Sequence, residues 1–142
     1  MFLYLAGTLT YYHRTNQFHK ATEWRNKIIE FCDDNNIKYF NPAKSFEQEF
    51  NHTLNPKIVV DQNRYYLDKT DILLVSLDYI LESPGTQWEI TYASEVRKIP
   101  VIAIGERENV WSPHISGAIS HFCKDSEDVI EILISMFNQN NF

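Results

Sequence analysis

Glu89 is the residue whose type and setting best fit bond-making chemistry. It closes the stretch Ser83-Pro84-Gly85-Thr86-Gln87-Trp88-Glu89. A carboxylate that follows a Pro-Gly turn at the mouth of a helix can act as a nucleophile. The glycine lets another group approach the backbone, and a place in the first helical turn favours the anion by about 0.3 to 1 kcal/mol. A glutamate at a helix start is by itself more often an ordinary partner of the helix dipole, so its neighbours have to decide. Other constellations carry little. His13, His19, His52, His114 and His121 contain no pair four apart, the helical spacing of metal ligands, so no metal is expected. The chain has neither a Walker-type phosphate loop nor a dinucleotide glycine fingerprint, and no cofactor is expected. Cys32 and Cys123 show no framework or paired-ligand spacing and read as two buried, reduced thiols.

Stepping outward, Glu89 needs a strand before it and a helix around it. Ile72 to Leu77 is a β-branched and aliphatic run between Asp71 and Asp78, which predicts a central strand buried on both faces. Trp88, Tyr92 and Val96 stand four apart and predict one face of a helix over 86–98, with Glu89 exposed in its first turn. A strand that leads through a glycine turn into a helix is where open α/β sheets take small molecules.

The rest of the chain alternates in the same way. Phe2 to Ala6 predicts a first strand, too short and too poor in flanking charge for a signal peptide. Thr8 to Thr15 reads as a polar and aromatic loop at the sheet's carboxyl edge. Ala21, Trp24, Ile28, Phe31 and Cys32 predict a helix over 18–35, followed by a strand at 37–40. Phe46, Phe50 and Leu54 point to a helix within 43–55, and Pro56 opens another that runs to about Lys69. A strand is expected at 99–105, a loop over 106–117, a fifth strand at 118–122, and a last helix from Asp125 or Ser126. This order implies an α/β fold, a parallel sheet with helices on both faces.

At 142 residues the chain fits a single domain spanning 1–142. A hydrophobic fraction of 44% argues for a packed globule, and a net charge of -6 excludes the basic footprint of a nucleic-acid polymer binder. No apolar run approaches the ~20 residues that span a bilayer, so no membrane partner is expected and the location is read as cytoplasmic.

Four pieces in order carry a resemblance: Tyr4-Leu5-Ala6-Gly7, Leu77-Asp78, Gly85-Thr86-x-Trp88-Glu89-Ile90-x-Tyr92-Ala93, and Lys98-x-Pro100-Val101. Together they resemble the nucleoside 2-deoxyribosyltransferase family over roughly the whole chain. The resemblance implies a flavodoxin-like, five-stranded parallel sheet, a homo-oligomer, and a glutamate nucleophile at Glu89. It also implies that the Tyr4 hydroxyl contacts that glutamate, although Tyr4 equally fits an ordinary packed strand residue. Asp78 matches an acid that orients sugar hydroxyls or the base, or else simply ends its strand. Asn63, with Asp61 nearby, falls where some members carry a further acid. Gly7 and Gly85 border the expected substrate site.

Ser83 departs from the transferases, which commonly have an acid there. A serine resembles the related 2'-deoxynucleoside 5'-monophosphate N-glycosidases, whose hydroxyls take the phosphate. Losing a negative charge beside the sugar's 5' end would no longer repel a phosphate. The first loop lacks the glycine and arginine pattern of those hydrolases; Arg14 and Arg25 are the nearest cations. The expected partners are therefore a small nucleoside or nucleotide and a free nucleobase. Base exchange through Glu89 is the favoured reading. Hydrolysis of deoxynucleotides and a non-catalytic nucleotide-binding module stand as the alternatives.

Overall fold

The computed structural model describes residues 1–51 and 55–137, with side chains described outside 47–51. His52, Leu54, Phe142 and the side chain of Phe50 thus lie outside the described residues. Five strands, β1 (Phe2–Ala6), β2 (Lys38–Phe40), β3 (Ile72–Ser76), β4 (Val101–Ile104) and β5 (His121–Cys123), form one sheet in the order β2-β1-β3-β4-β5. Every pairing is parallel, and the central register sets Tyr4 beside Leu73 and Ala6 beside Val75. This is the flavodoxin-like order. Its strand direction of travel reverses between β1 and β3, which leaves a crevice beyond their carboxyl ends.

Helices cover both faces, as a parallel sheet requires. On one face Leu3, Leu5, Ile72, Leu74 and Ile102 pack with Ile28 and Cys32 of α2 (Phe18–Asp34) and with Val129 and Leu133 of α7 (Ser126–Phe137). On the other, Tyr4, Ala6, Leu73, Val75, Val101 and Ala103 meet Leu67 of α4 (Pro56–Leu67), Ile90 of α5 (Pro84–Thr91) and Ile115 of α6 (Pro113–Ser116). The period-two alternation of β1 thus sends Tyr4 and Ala6 to the α5 side and Leu3 and Leu5 to the α2 side. Helix α4 begins where Asn55 Oδ1 accepts from Lys57 N at 3.0 Å, with Pro56 at the first position. The remaining helices are the short α1 (Thr10–Arg14) and α3 (Pro42–Asn51).

Several sequence expectations are corrected. The loop at 8–15 contains α1, because Tyr12 is buried and Tyr11 stacks on Tyr79 at 4.3 Å; these are long-range contacts with no local periodic signal. The fifth strand begins at His121 rather than at 118. Ser120 N donates to Val101 O and Val101 N to Ser120 Oγ, so the ladder with β4 opens only afterwards. The loop at 106–117 holds α6 and a 3-10 turn at Arg107–Asn109.

Helix α5 differs in a way that bears on function. It begins at Pro84, so Pro84 and Gly85 are its first two residues rather than a turn before it. The turn is made upstream by Tyr79, at φ 54°, and a 3-10 turn at Ile80–Glu82. The buried face is Thr86, Glu89, Ile90 and Ala93, not Trp88, Tyr92 and Val96. Trp88 and Tyr92, stacked at 5.2 Å, cover the seam with α4 instead, where the Tyr92 hydroxyl donates to Asp68 at 2.7 Å. After Thr91 the helix widens into a π-helical stretch, Tyr92–Arg97, closed by Lys98 at φ 54°.

Candidate active site

The crevice between the carboxyl ends of β1 and β3 is a cleft of about 350 Å³, within the size range of small-molecule sites. Its floor comes from Gly7, which follows β1 directly. One wall is the segment after β3, contributing Glu82, Ser83, Gly85, Thr86 and Glu89, and the opposite wall includes Phe46 of α3 with Val59 and Asn63 of α4. Leu9, Thr10 and Arg14 line it from α1 and the loop before it.

Packing around Gly7 is tight. At φ 157° its backbone suits glycine, and a Cβ there would stand 3.2 Å from both Arg25 Nη2 and the Trp24 ring. Gly85 is different: a Cβ built on it would meet no atom within 4 Å, so nothing in the protein's own packing demands a glycine at this point of the cleft.

The wall after β3 is tied down by several bonds. The Thr8 hydroxyl donates to Asp78 O at 2.7 Å and to Tyr79 O at 3.3 Å, linking the exits of β1 and β3. Tyr79 holds a left-handed conformation, a costly one for a bulky residue, while stacked on Tyr11 and edge-on to Tyr12. The Gln87 side chain donates to Ile80 O at 2.8 Å, and Ser83 Oγ lies 2.7 Å from Thr86 Oγ1. Ser83 therefore presents its hydroxyl as half of a pair beside the cleft.

Glu89 is 6% exposed, not the exposed carboxylate expected, and its Oε2 is closed to solvent. It sits in the second turn of α5, with no acid in the first. The helix dipole, which fades beyond the first turn, therefore adds little at this position. Against Gly7, behind the cleft floor, lies Arg25. This side chain is fully buried, and its guanidinium donates to the backbone oxygens of Leu5 at 3.1 Å, Gly7 at 3.2 Å and Ala21. Burial lowers its pKa to about 10, and the charges of Glu89, Tyr4 and Tyr12 oppose that fall, so it stays protonated at neutral pH.

Of the residues singled out in the sequence, Gly7, Asn63, Ser83, Gly85 and Glu89 meet in this cleft. Tyr4 does not line it. It is wholly buried on the α5 side of β1, its ring 5.1 Å from that of Phe40 and its hydroxyl oxygen closed to solvent. Asp78 lies outside the cleft lining, exposed, and it is its backbone oxygen that takes part in the local bonding. Asp61 pairs with Lys57 and Arg64 on the surface of α4, and these two cations hold its carboxyl below the usual range. Phe46, Glu82 and Thr86 were not anticipated, since their approach depends on how α3 and the segment after β3 fold together. Arg25 had a local signal: with Ala21, Ile28 and Cys32 it falls in the buried stripe of α2, where a cation needs a reason.

Among the described residues no group of three or more His, Cys, Asp or Glu side chains is arranged to hold a metal ion. Cys32 and Cys123 are free and buried, and burial pushes their thiols up to about 12 and about 11.

With sheet order, switch point and cleft in view, the architecture can be set beside known structures. Its fold is that of a 2-deoxyribosyltransferase. A solved 2-deoxyribosyltransferase from the psychrotolerant bacterium Bacillus psychrosaccharolyticus superposes with a TM-score of 0.63, covering 91% of this chain and 90% of that one at 18% sequence identity. At that identity the likeness establishes the fold. No protein-family model and no curated protein matches the sequence.

Proposed function

We propose that the protein is a nucleoside 2-deoxyribosyltransferase, with Glu89 as the nucleophile. The observation that carries this reading is the position of Glu89: a buried carboxylate at the wall of a cleft at the β1/β3 switch point, facing a glycine floor. The fold shared with a 2-deoxyribosyltransferase supports it.

In the proposed reaction a Glu89 carboxylate oxygen attacks the sugar carbon that bears the base. The carbon–nitrogen bond breaks, its electron pair leaves with the base, and the base takes up a proton. The centre passes through an oxocarbenium-like state, and a covalent deoxyribosyl ester results. A nitrogen of a second base then attacks the same carbon from the vacated side, losing its proton, and the ester bond breaks to restore the carboxylate. Water in place of the second base would give hydrolysis. Asn63 and Ser83 are proposed to hold the sugar, Gly85 to let it approach the helix, and Tyr4 to set the glutamate from below. Asp78 would reach a substrate only if its side chain turned toward the cleft.

A second reading, hydrolysis of deoxynucleoside monophosphates, draws on Arg14 and the Ser83–Thr86 hydroxyl pair, which could receive a phosphate. Among the described residues the cleft is lined by two acidic side chains, Glu82 and Glu89, and one basic one, Arg14, which favours a neutral nucleoside. No described helix is long and apolar enough to cross a membrane. The two free, buried cysteines accord with a cytoplasmic setting. Trp111, 83% exposed, is consistent with the proposed homo-oligomer.

The experiment is to incubate the protein with a deoxynucleoside, with and without a second free base, and to follow all products by chromatography. A new deoxynucleoside that forms only with the second base supports transfer. Preferential hydrolysis of the monophosphate without exchange would favour the second reading. Ligand affinity without turnover would leave a binding module.

A further inference from the structure

We propose that Tyr79 is a positioning residue: its ring clamps α1 to the segment after β3, so that the groups these two segments bring to the cleft keep a fixed spacing. The inference rests on the reading of this cleft as the substrate site.

The backbone of Tyr79 is the first sign. Its φ of 54° and ψ of 33° lie in the left-handed region, where Cβ is crowded against a backbone oxygen. Among the described residues three other non-glycine positions share a positive φ: Asn16, Asn36 and Lys98. Each follows the end of a helix, where a left-handed residue is a common stop. Tyr79 ends no helix. It comes shortly after β3 and opens the 3-10 turn Ile80–Glu82, a place where glycine would fit without strain. Nor does the core hold the ring there, since the residue is 46% exposed. A bulky residue kept under strain beside a cleft must be fixed by what its side chain touches.

What the ring touches is α1. Tyr79 stacks on Tyr11 with centroids 4.3 Å apart and planes 25° from parallel, and it meets the buried Tyr12 edge-on at 5.6 Å. The Thr8 hydroxyl ties the same two segments through the oxygens of Asp78 and Tyr79. Helix α1 has five residues and no side-chain cap at its start, so it depends on contacts of this kind. On its other flank His13 lies edge-on to Phe46 at 5.7 Å. Helix α1 therefore bridges Tyr79 and a residue of the opposite cleft wall.

The cleft takes its lining from both sides of the clamp. Leu9, Thr10 and Arg14 come with α1, and Glu82 and Ser83 come with the turn that Tyr79 opens. Glu82 N donates to Tyr79 O at 2.9 Å and Ser83 N to Ile80 O at 3.2 Å, so the turn is bonded as one piece with Tyr79. Tyr79 itself is not among the lining residues and acts through these neighbours. Glu89 stands further along, on the buried face of α5. Loosening the clamp should thus weaken substrate binding more than the chemical step.

The test reads the clamp from both ends by amide hydrogen exchange. Tyr79→Gly removes the ring and accepts the left-handed backbone, while Tyr11→Ala removes the same stack from the α1 side. In Tyr79→Gly the α1 amides of His13 and Thr15 should exchange at least about tenfold faster, and in Tyr11→Ala so should those of Glu82 and Ser83. The Leu73 amide in the central strand should keep its wild-type rate in both, which shows that global stability is not what changed. Exchange across the stack within about twofold of wild type would overturn the proposal. Each variant breaks the stack alone, so either one suffices should the other fail to fold.

Kinetics then separate positioning from mere support. Both variants should raise KM for a deoxynucleoside at least about fivefold with kcat within about threefold of wild type, and Tyr79→Phe, which keeps the ring, should restore KM. An unchanged KM in Tyr79→Gly, or a Tyr79→Phe as impaired as the glycine variant, would equally overturn it. Failure of the transferase reading looks different: the wild type would turn over no deoxynucleoside, while the exchange rates would still decide whether Tyr79 couples the two segments.

Discussion

Gly85→Ala separates what the fold needs from what a ligand needs. Gly85 is the second residue of α5, its φ is not positive, and a Cβ would meet nothing within 4 Å. Alanine there restricts the unfolded chain and favours the helix without touching the folded protein, so the variant should be more stable by about 0.4 to 1 kcal/mol. For a chain of this size that corresponds to a rise in Tm of about 1 to 3 °C. The same methyl group projects into the cleft that holds Glu89. If a sugar packs against this helix turn, kcat/KM should fall by at least about tenfold, roughly 1.4 kcal/mol of lost transition-state binding. Urea unfolding with an unchanged m value would report the first quantity, and chromatographic initial rates the second. A variant that is stabilised but fully active would show that no substrate approaches Gly85. A variant that is destabilised would refute the claim that the space is open.

Glu89→Gln should lower turnover by at least about a thousandfold, and because the side chain is buried it should also destabilise the fold by about 1 to 3 kcal/mol; activity within a few fold of wild type would remove Glu89 from the mechanism. Ser83→Asp should leave nucleoside exchange intact while raising KM for a deoxynucleoside monophosphate at least tenfold, since a hydrogen bond to a charged group is worth roughly 1.5 to 3 kcal/mol. A monophosphate KM that does not change would place the phosphate elsewhere. Stability should decline as pH rises above 9. Cys32 and Cys123 titrate from 9.0 up to about 12 and about 11 on folding, and Tyr12 from 10.0 to about 12, so the folded state holds these protons longer than the unfolded state. Their contribution is complete below pH 9 and is lost through pH 12; unfolding free energies that stay level from pH 8 to 11 would contradict it.

Much of the fold was legible because the strands are buried on both faces. Ile72 to Leu77 and Val101 to Ile104 read as continuous apolar runs, and such runs alternating with helical periods leave few arrangements other than a parallel sheet. The cleft was legible for the same reason: Gly7 ends one strand and Ser83 to Glu89 follows another, and the carboxyl edge of an open sheet brings such segments together. The face of α5 was not legible. Periodicity finds the large residues, and Trp88 and Tyr92 satisfy it, but packing against the sheet took the neighbouring stripe of Thr86, Glu89, Ile90 and Ala93 and so turned Glu89 inward. Helix α1 was hidden because its one buried residue, Tyr12, gains its environment from Tyr79, far along the chain.

By itself the sequence determined the order of the strands and of the longer helices and the carboxyl-edge location of the candidate site, because hydrophobic periodicity and turn chemistry act over a few neighbouring residues. Only the tertiary structure decided the electrostatics. Arg25 reads locally as one cation in an amphipathic helix, and Glu89 as an acid near a helix start. That both are buried, and that the cation holds the backbone beneath the cleft, follows from the packing of α2 and α5 on opposite faces of the sheet. This is a long-range relation that no local pattern encodes.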